Sequence, residues 1–135
     1  MKALGLLGQV DLPAQIAAVP RARSCVRGLL DGTDHPQTDA ALLLVTELVT
    51  NSVRYSDSGR CPAGRITIVV AEHDGTLHID VIDGGSWTSR PTVCPEVRLD
   101  DDGGRGLWLL QEVATDWGWY ETAAGRAVWF RLAGK

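Results

Sequence analysis

The chain has 135 residues, 44% apolar and 22% charged, with a formal net charge of −4. That length holds one domain, here residues 1–135, which buries roughly two-thirds of the surface its unfolded form exposes and needs no disulfide or metal staple. The acidic balance argues against a nucleic-acid partner. The odd number of cysteines, Cys25, Cys61 and Cys94, without CxxC spacing, argues against a disulfide framework or zinc site and for a reducing compartment.

The apolar segment Ala3 to Val10 reads as an edge strand. It is too short and too broken by Gly5, Gly8 and Gln9 for a signal peptide. No apolar run reaches membrane-spanning length, so the expectation is a soluble cytoplasmic protein. Leu12-Pro13 leads into a helical pattern in which Ile16, Val19, Ala22, Val26, Leu29 and Leu30 recur at spacings of three and four. Pro20 fits only a first turn, which starts this helix near Val19, and Gly32 ends it.

A second helix, capped by Thr38 or Asp39, runs to about Ser56. It is apolar on most of its circumference, as a deeply packed helix must be. Arg65 to Glu72 and Thr76 to Asp83 are β-branched, alternating segments joined at His73-Asp74-Gly75, a hairpin signature. Gly84 to Gly104 has no periodicity, and a loop of that length in a compact domain is usually functional. Leu107 to Thr115 reads as a short helix, and Asp116 to Thr122 with Arg126 to Leu132 as a last hairpin. The order predicts an α+β fold: a two-layer sandwich whose mixed, mainly antiparallel sheet is covered on one face by helices.

Three segments carry chemistry. Glu47, Asn51 and Arg54 share one face of the second helix and interrupt its apolar surface. Either this is a solvated face with a Glu-to-Asn contact, or a carboxylate and an amide line a cleft where a hard cation accepts their oxygens. Asp83, before Gly84-Gly85, either closes a turn or accepts a hydrogen bond from the exocyclic amine of a base that glycine lets approach. Gly103-Gly104-Arg105-Gly106-Leu107 feeds a helix N-terminus, where free N–H groups suit phosphate; a flexible loop exit explains it equally.

In this order, the three segments resemble the nucleotide-binding boxes of the ATPases that include DNA gyrase, Hsp90, histidine kinases and MutL. The words "LLLVTELVTNSVRYS", "HIDVIDGG", "GGRGLWLLQEVATDWGW" and "RAVWFRL" are similar to those of the anti-sigma regulatory serine kinases, as is the opening "LPAQIAAVPRARSCVRGLL". The resemblance covers nearly the whole chain. It implies the histidine-kinase-like ATPase fold with ATP and Mg2+ as ligands. It makes Glu47 the general base, Asn51 the Mg2+ ligand and Asp83 the adenine acceptor. Gly85 allows the base to approach, Gly84 to Gly104 forms a lid, and Gly104, Arg105, Gly106 and Leu107 form the phosphate end. Arg21 lies near a partner-binding arginine of the sporulation anti-sigma factor. The implied partners are an anti-anti-sigma (STAS-domain) protein, a sigma factor, or both, with the chain as a homodimer and without nucleic acid or membrane.

Three positions depart from the family pattern. Trp87 stands where the Asp-x-Gly-x-Gly box has its last glycine, Tyr55 where a histidine is usual, and Ala127 where a final-strand threonine helps hold adenine. Retention of Glu47 and Asn51 favours an enzyme; Trp87 and Ala127 favour a non-catalytic module that acts by partner capture. A histidine-kinase catalytic fragment is a weaker third reading, because the first two helices carry no phospho-acceptor histidine.

Overall fold

The computed structural model describes residues 5–55, 64–83, 104–121 and 126–134. The elements in chain order are β1 (Leu6–Pro13), α1 (Ala18–Asp31), α2 (Thr38–Tyr55), β2 (Arg65–His73), β3 (Thr76–Asp83), α3 (Gly104–Val113), β4 (Asp116–Glu121) and β5 (Arg126–Leu132). The strands form one sheet in the order β1-β2-β3-β5-β4. Every ladder among the described strands is antiparallel, and β5 lies between β3 and β4. Among the described residues no helix is long and apolar enough to cross a membrane.

Two boundaries differ from the sequence expectation. The edge strand runs on through Leu12 and Pro13, because Leu12 pairs with Ile66 and is buried. Proline is tolerated at the end of an edge strand, where no ladder donor is required. The last helix begins at Gly104 rather than Leu107, which takes Gly104, Arg105 and Gly106 into its first turn.

Helix α1 buries Ala18, Ala22, Val26 and Leu30, a stripe of one residue per turn. Gly32 caps it at φ −70, so the left-handed residue that reverses the chain is Asp34 instead, at φ 53. Helix α2 buries Ala41, Leu42, Leu44, Val45, Leu48 and Val49. They meet a sheet surface of Ile66, Ile68, Val70, Leu77, Ile79, Val81, Phe130 and Leu132 in one core. The β2–β3 turn places Asp74 at φ 53 and Gly75 at φ 82, the paired left-handed geometry that Asp-Gly hairpins supply.

His35 pins one end of the domain. It is buried, its Nδ1 accepts from the Gln37 N–H at 3.0 Å, and its Nε2 lies 2.7 Å from the Gly75 carbonyl. A backbone N–H can only donate, so the ring is the Nε2–H tautomer and donates to Gly75. The α1–α2 connection is thereby tied to the β2–β3 turn.

The opposite face of the sheet carries no described helix and is built as a polar network. Tyr120 donates to Asp80 at 2.9 Å, His78 Nε2 bonds the other Asp80 oxygen at 2.8 Å, and Arg131 Nε donates to His78 Nδ1 at 3.2 Å. Trp129 stacks on His78 at 5.6 Å and lies under the Arg131 guanidinium at 5.2 Å. Gly118 leaves room for that indole, since a Cβ there would stand 2.8 Å from it.

His35→Ala leaves the Gln37 N–H and the Gly75 carbonyl without their buried partner. It should lower stability by about 1–3 kcal/mol in urea unfolding, and an unchanged midpoint would show that the pin is dispensable. Partial burial, then the hydrogen bond to Asp80 and its negative charge, raise the Tyr120 phenol above its ordinary value of 10.0. The folded chain therefore holds this proton more tightly than the unfolded one. Its contribution is intact below a pH of about 10 and is lost as pH rises through the folded value. The effect is small because the residue is 40% exposed. In an absorbance titration, Tyr120→Phe should remove an ionisation that lies above the ordinary tyrosine value.

Candidate functional site

Helix α2 is apolar except along one strip. Thr46 and Thr50 donate to the carbonyls of Leu42 and Thr46 at 2.8 and 2.7 Å, so their hydroxyls are consumed within the helix. Thr46 also accepts from Arg23 of α1 at 3.4 Å, which marks the α1 flank. At about 100° per residue, Glu47 and Asn51 lie further round, on the flank away from α1. There α2 packs against α3. Both are half-buried, so neither belongs to a fully solvated face.

Asp83 closes β3 and is also half-buried. Its cross-strand neighbours are Ile66 on β2 and Arg126 on β5. Val81, two residues back, is a core residue, so alternation turns Asp83 to the helix-covered face.

Chain direction brings these groups to one end of the domain. Gly75 sits at the end pinned by His35, and β3 then runs about 3.4 Å per residue to Asp83 at the other. Helix α2 starts beside His35 and rises about 1.5 Å per residue, so Glu47 and Asn51 approach the Asp83 end. Helix α3 finishes near the pinned end, where the Thr115 N–H bonds the Arg131 carbonyl at 2.8 Å and Arg131 pairs with His78. Its first turn, Gly104 to Leu107, therefore points back toward Asp83. The first turn of α1 is at that end too, because Leu12 pairs with Ile66 and Ile66 with Asp83. Arg21 is exposed there on α1, with α2 between it and the Glu47 flank. Gly85, Trp87 and the rest of the segment to Gly103 lie outside the described residues, as do Cys61 and Cys94; Cys25 is a free, exposed thiol.

The oxygen set suits an ion that arrives with ligands of its own. Among the described residues no three His, Cys, Asp or Glu stand together to cage a metal. A carboxylate and an amide one turn apart match Mg2+, which keeps waters and takes the rest of its shell from phosphates. A half-buried strand-end carboxylate suits a base amine, and the start of a ten-residue helix suits phosphate.

One sequence expectation is corrected. Ala127 pairs with Ile82 and Tyr120, on the face opposite Asp83. The last-strand residue that faces Asp83 is Arg126, which the motif comparison passed over. The signal was present in the alternation of β5: Val128, Phe130 and Leu132 form its apolar face, and Arg126 is the next position on it. A family model for the histidine kinase-like ATPase domain matches residues 12–132. A comparison with individually curated proteins gives no match.

Proposed function

Since the chain belongs to the histidine kinase-like ATPase domain family, we propose that it is an ATP-binding regulator that phosphorylates a serine of an anti-anti-sigma (STAS-domain) partner. What supports this reading is the convergence of the Glu47/Asn51 flank of α2, Asp83 of β3 and the first turn of α3 at one end of the domain. ATP with Mg2+, when bound, supplies the phosphoryl group and neutralises its charge. Asn51 offers its carbonyl oxygen to the cation. Asp83 accepts from the adenine amine, and the lack of a side chain at Gly85 lets the base approach. The backbone of Gly104, Arg105, Gly106 and Leu107 faces the phosphates. Glu47, one turn from Asn51, takes the proton from the attacking serine hydroxyl. Partner binding at Arg21, sequestration of a sigma factor, a homodimer and a cytoplasmic location go with the same reading.

A non-catalytic binding module is the second reading, favoured by Trp87 in place of a glycine of the Asp83 box. Ala127 no longer favours it, since that side chain is turned away from Asp83.

Wild type should show an ATP-dependent thermal shift that is larger with Mg2+. Asp83→Asn presents a donor where an acceptor is needed and should weaken ATP about tenfold or more, the worth of a hydrogen bond to a charged group. Asn51→Ala should weaken chiefly the Mg2+-dependent part. No shift at millimolar ATP would remove the nucleotide reading altogether. Glu47→Gln keeps the shape and removes the base. It should leave ATP binding nearly intact and slow labelled-phosphate transfer to a STAS-domain partner by about 10²–10⁴. Transfer at the wild-type rate would remove Glu47 from the chemistry, and a wild type that binds partner without transferring would establish the binding module.

A further inference from the structure

Helix α1 ends and α2 begins at the pinned end of the domain, so the two run antiparallel, and they pack together. The Arg23 bond to Thr46 at 3.4 Å fixes their relative level. One turn further along α1 is one turn further back on α2, which sets Arg27 beside Leu43. Arg23 and Arg27 are exposed, and among the described residues neither has a carboxylate partner. Like charges at this spacing weaken a helix, yet both stand on a chain whose net charge is −4. Arg21 is turned to the other flank of α1, away from α2. Leu43 is 41% exposed, whereas the other leucines of α2, Leu42, Leu44 and Leu48, are buried. A single exposed leucine is ordinary by itself. This one lies one turn before Glu47 on the same helix face, with the two guanidinium groups alongside. Asp39, the next exposed residue back along α2, lies a turn nearer the pinned end.

We propose that the outer groove between α1 and α2 docks the serine-bearing segment of the acceptor protein, and that it selects an acidic segment with an apolar residue two positions from the serine; this rests on the kinase reading above. The Leu43 and Glu47 side chains leave α2 about 5–6 Å apart. In an extended segment, alternate residues face the same way about 7 Å apart. A serine placed at Glu47 therefore brings the residue two positions away onto Leu43. Contact between the two apolar side chains takes both out of water and holds the hydroxyl beside the base. Transfer then forms the bond from serine Oγ to phosphorus and breaks the bond from phosphorus to the bridging oxygen of ADP, which leaves with the electron pair. The hydroxyl proton goes to Glu47. Arg23 and Arg27 attract carboxylates of the segment and repel lysine or arginine.

The test is labelled-phosphate transfer from ATP with Mg2+ by the full chain to short synthetic peptides. Each carries one serine, with leucine two positions to either side and glutamate elsewhere. A second form has alanine for leucine, and a third has lysine for glutamate. In wild type the alanine form should have a kcat/KM about tenfold lower than the leucine form, and the lysine form should be lower still. Leu43→Ala should lower kcat/KM for the leucine form about tenfold and distinguish it from the alanine form by less than about twofold. The double variant Arg23→Gln, Arg27→Gln should raise KM for the glutamate peptides and narrow their advantage over the lysine form. The ATP-dependent thermal shift should be the same in wild type and all variants. The same leucine-to-alanine ratio in wild type and Leu43→Ala, or equal transfer to the glutamate and lysine forms, overturns the docking groove. Transfer to the STAS-domain partner but to none of the peptides also overturns it and leaves the kinase reading standing. Transfer to neither overturns both.

Discussion

The arrangement depends on β5 pairing with β3 and not with β4 alone. Because β5 occupies the place beside β3, β4, the next described strand after β3, lies one strand further out and follows α3. An antiparallel hairpin directly after β3 would have needed no crossing helix. The crossing returns α3 toward the pinned end with its first turn at the other. That geometry sets a helix N-terminus, a strand-end carboxylate and the polar flank of α2 at a common end.

Among the described residues helices cover the sheet on one face only, which explains where chemistry can sit. The helix side is a dry core, so a polar group there must lie at its margin or be satisfied. Glu47 and Asn51 are at the margin, half-buried at the α2–α3 flank. The face without a described helix meets the same requirement differently. Asp80, His78, Arg131 and Tyr120 bond one another across β3, β5 and β4 around the Trp129 ring. Among the described residues this face is polar where the other is apolar.

The two ends of the domain divide the work. One is closed by backbone and imidazole hydrogen bonds that join α1–α2 to the β2–β3 turn through His35. The other collects Asp83, Arg126 and Glu121 in a row of alternating charge beside α2 and α3.

Much of this was legible in the chain itself. Alternation in Ile66, Ile68 and Val70 and in Leu77, Ile79 and Val81 located the central hairpin, and Asp74-Gly75 its turn. The four-residue step from Glu47 to Asn51 placed both on one helix face. Each of these is a local property: a period of 2 or 3.6 says which way a side chain faces within its own element. The reading failed where local signals were mute. Leu12 and Pro13 were assigned to the approach to α1 because nothing local shows that Leu12 will find Ile66. Gly104 to Gly106 looked like loop because glycine is a poor helix former, yet their backbone is helical in the first turn of α3. Ala127 was matched by motif, and only the pairing of β5 with β3 shows that Arg126 stands beside Asp83. Periodicity determined the elements and their faces; strand order and register, which arise from contacts between residues far apart in the chain, decided which faces share a site.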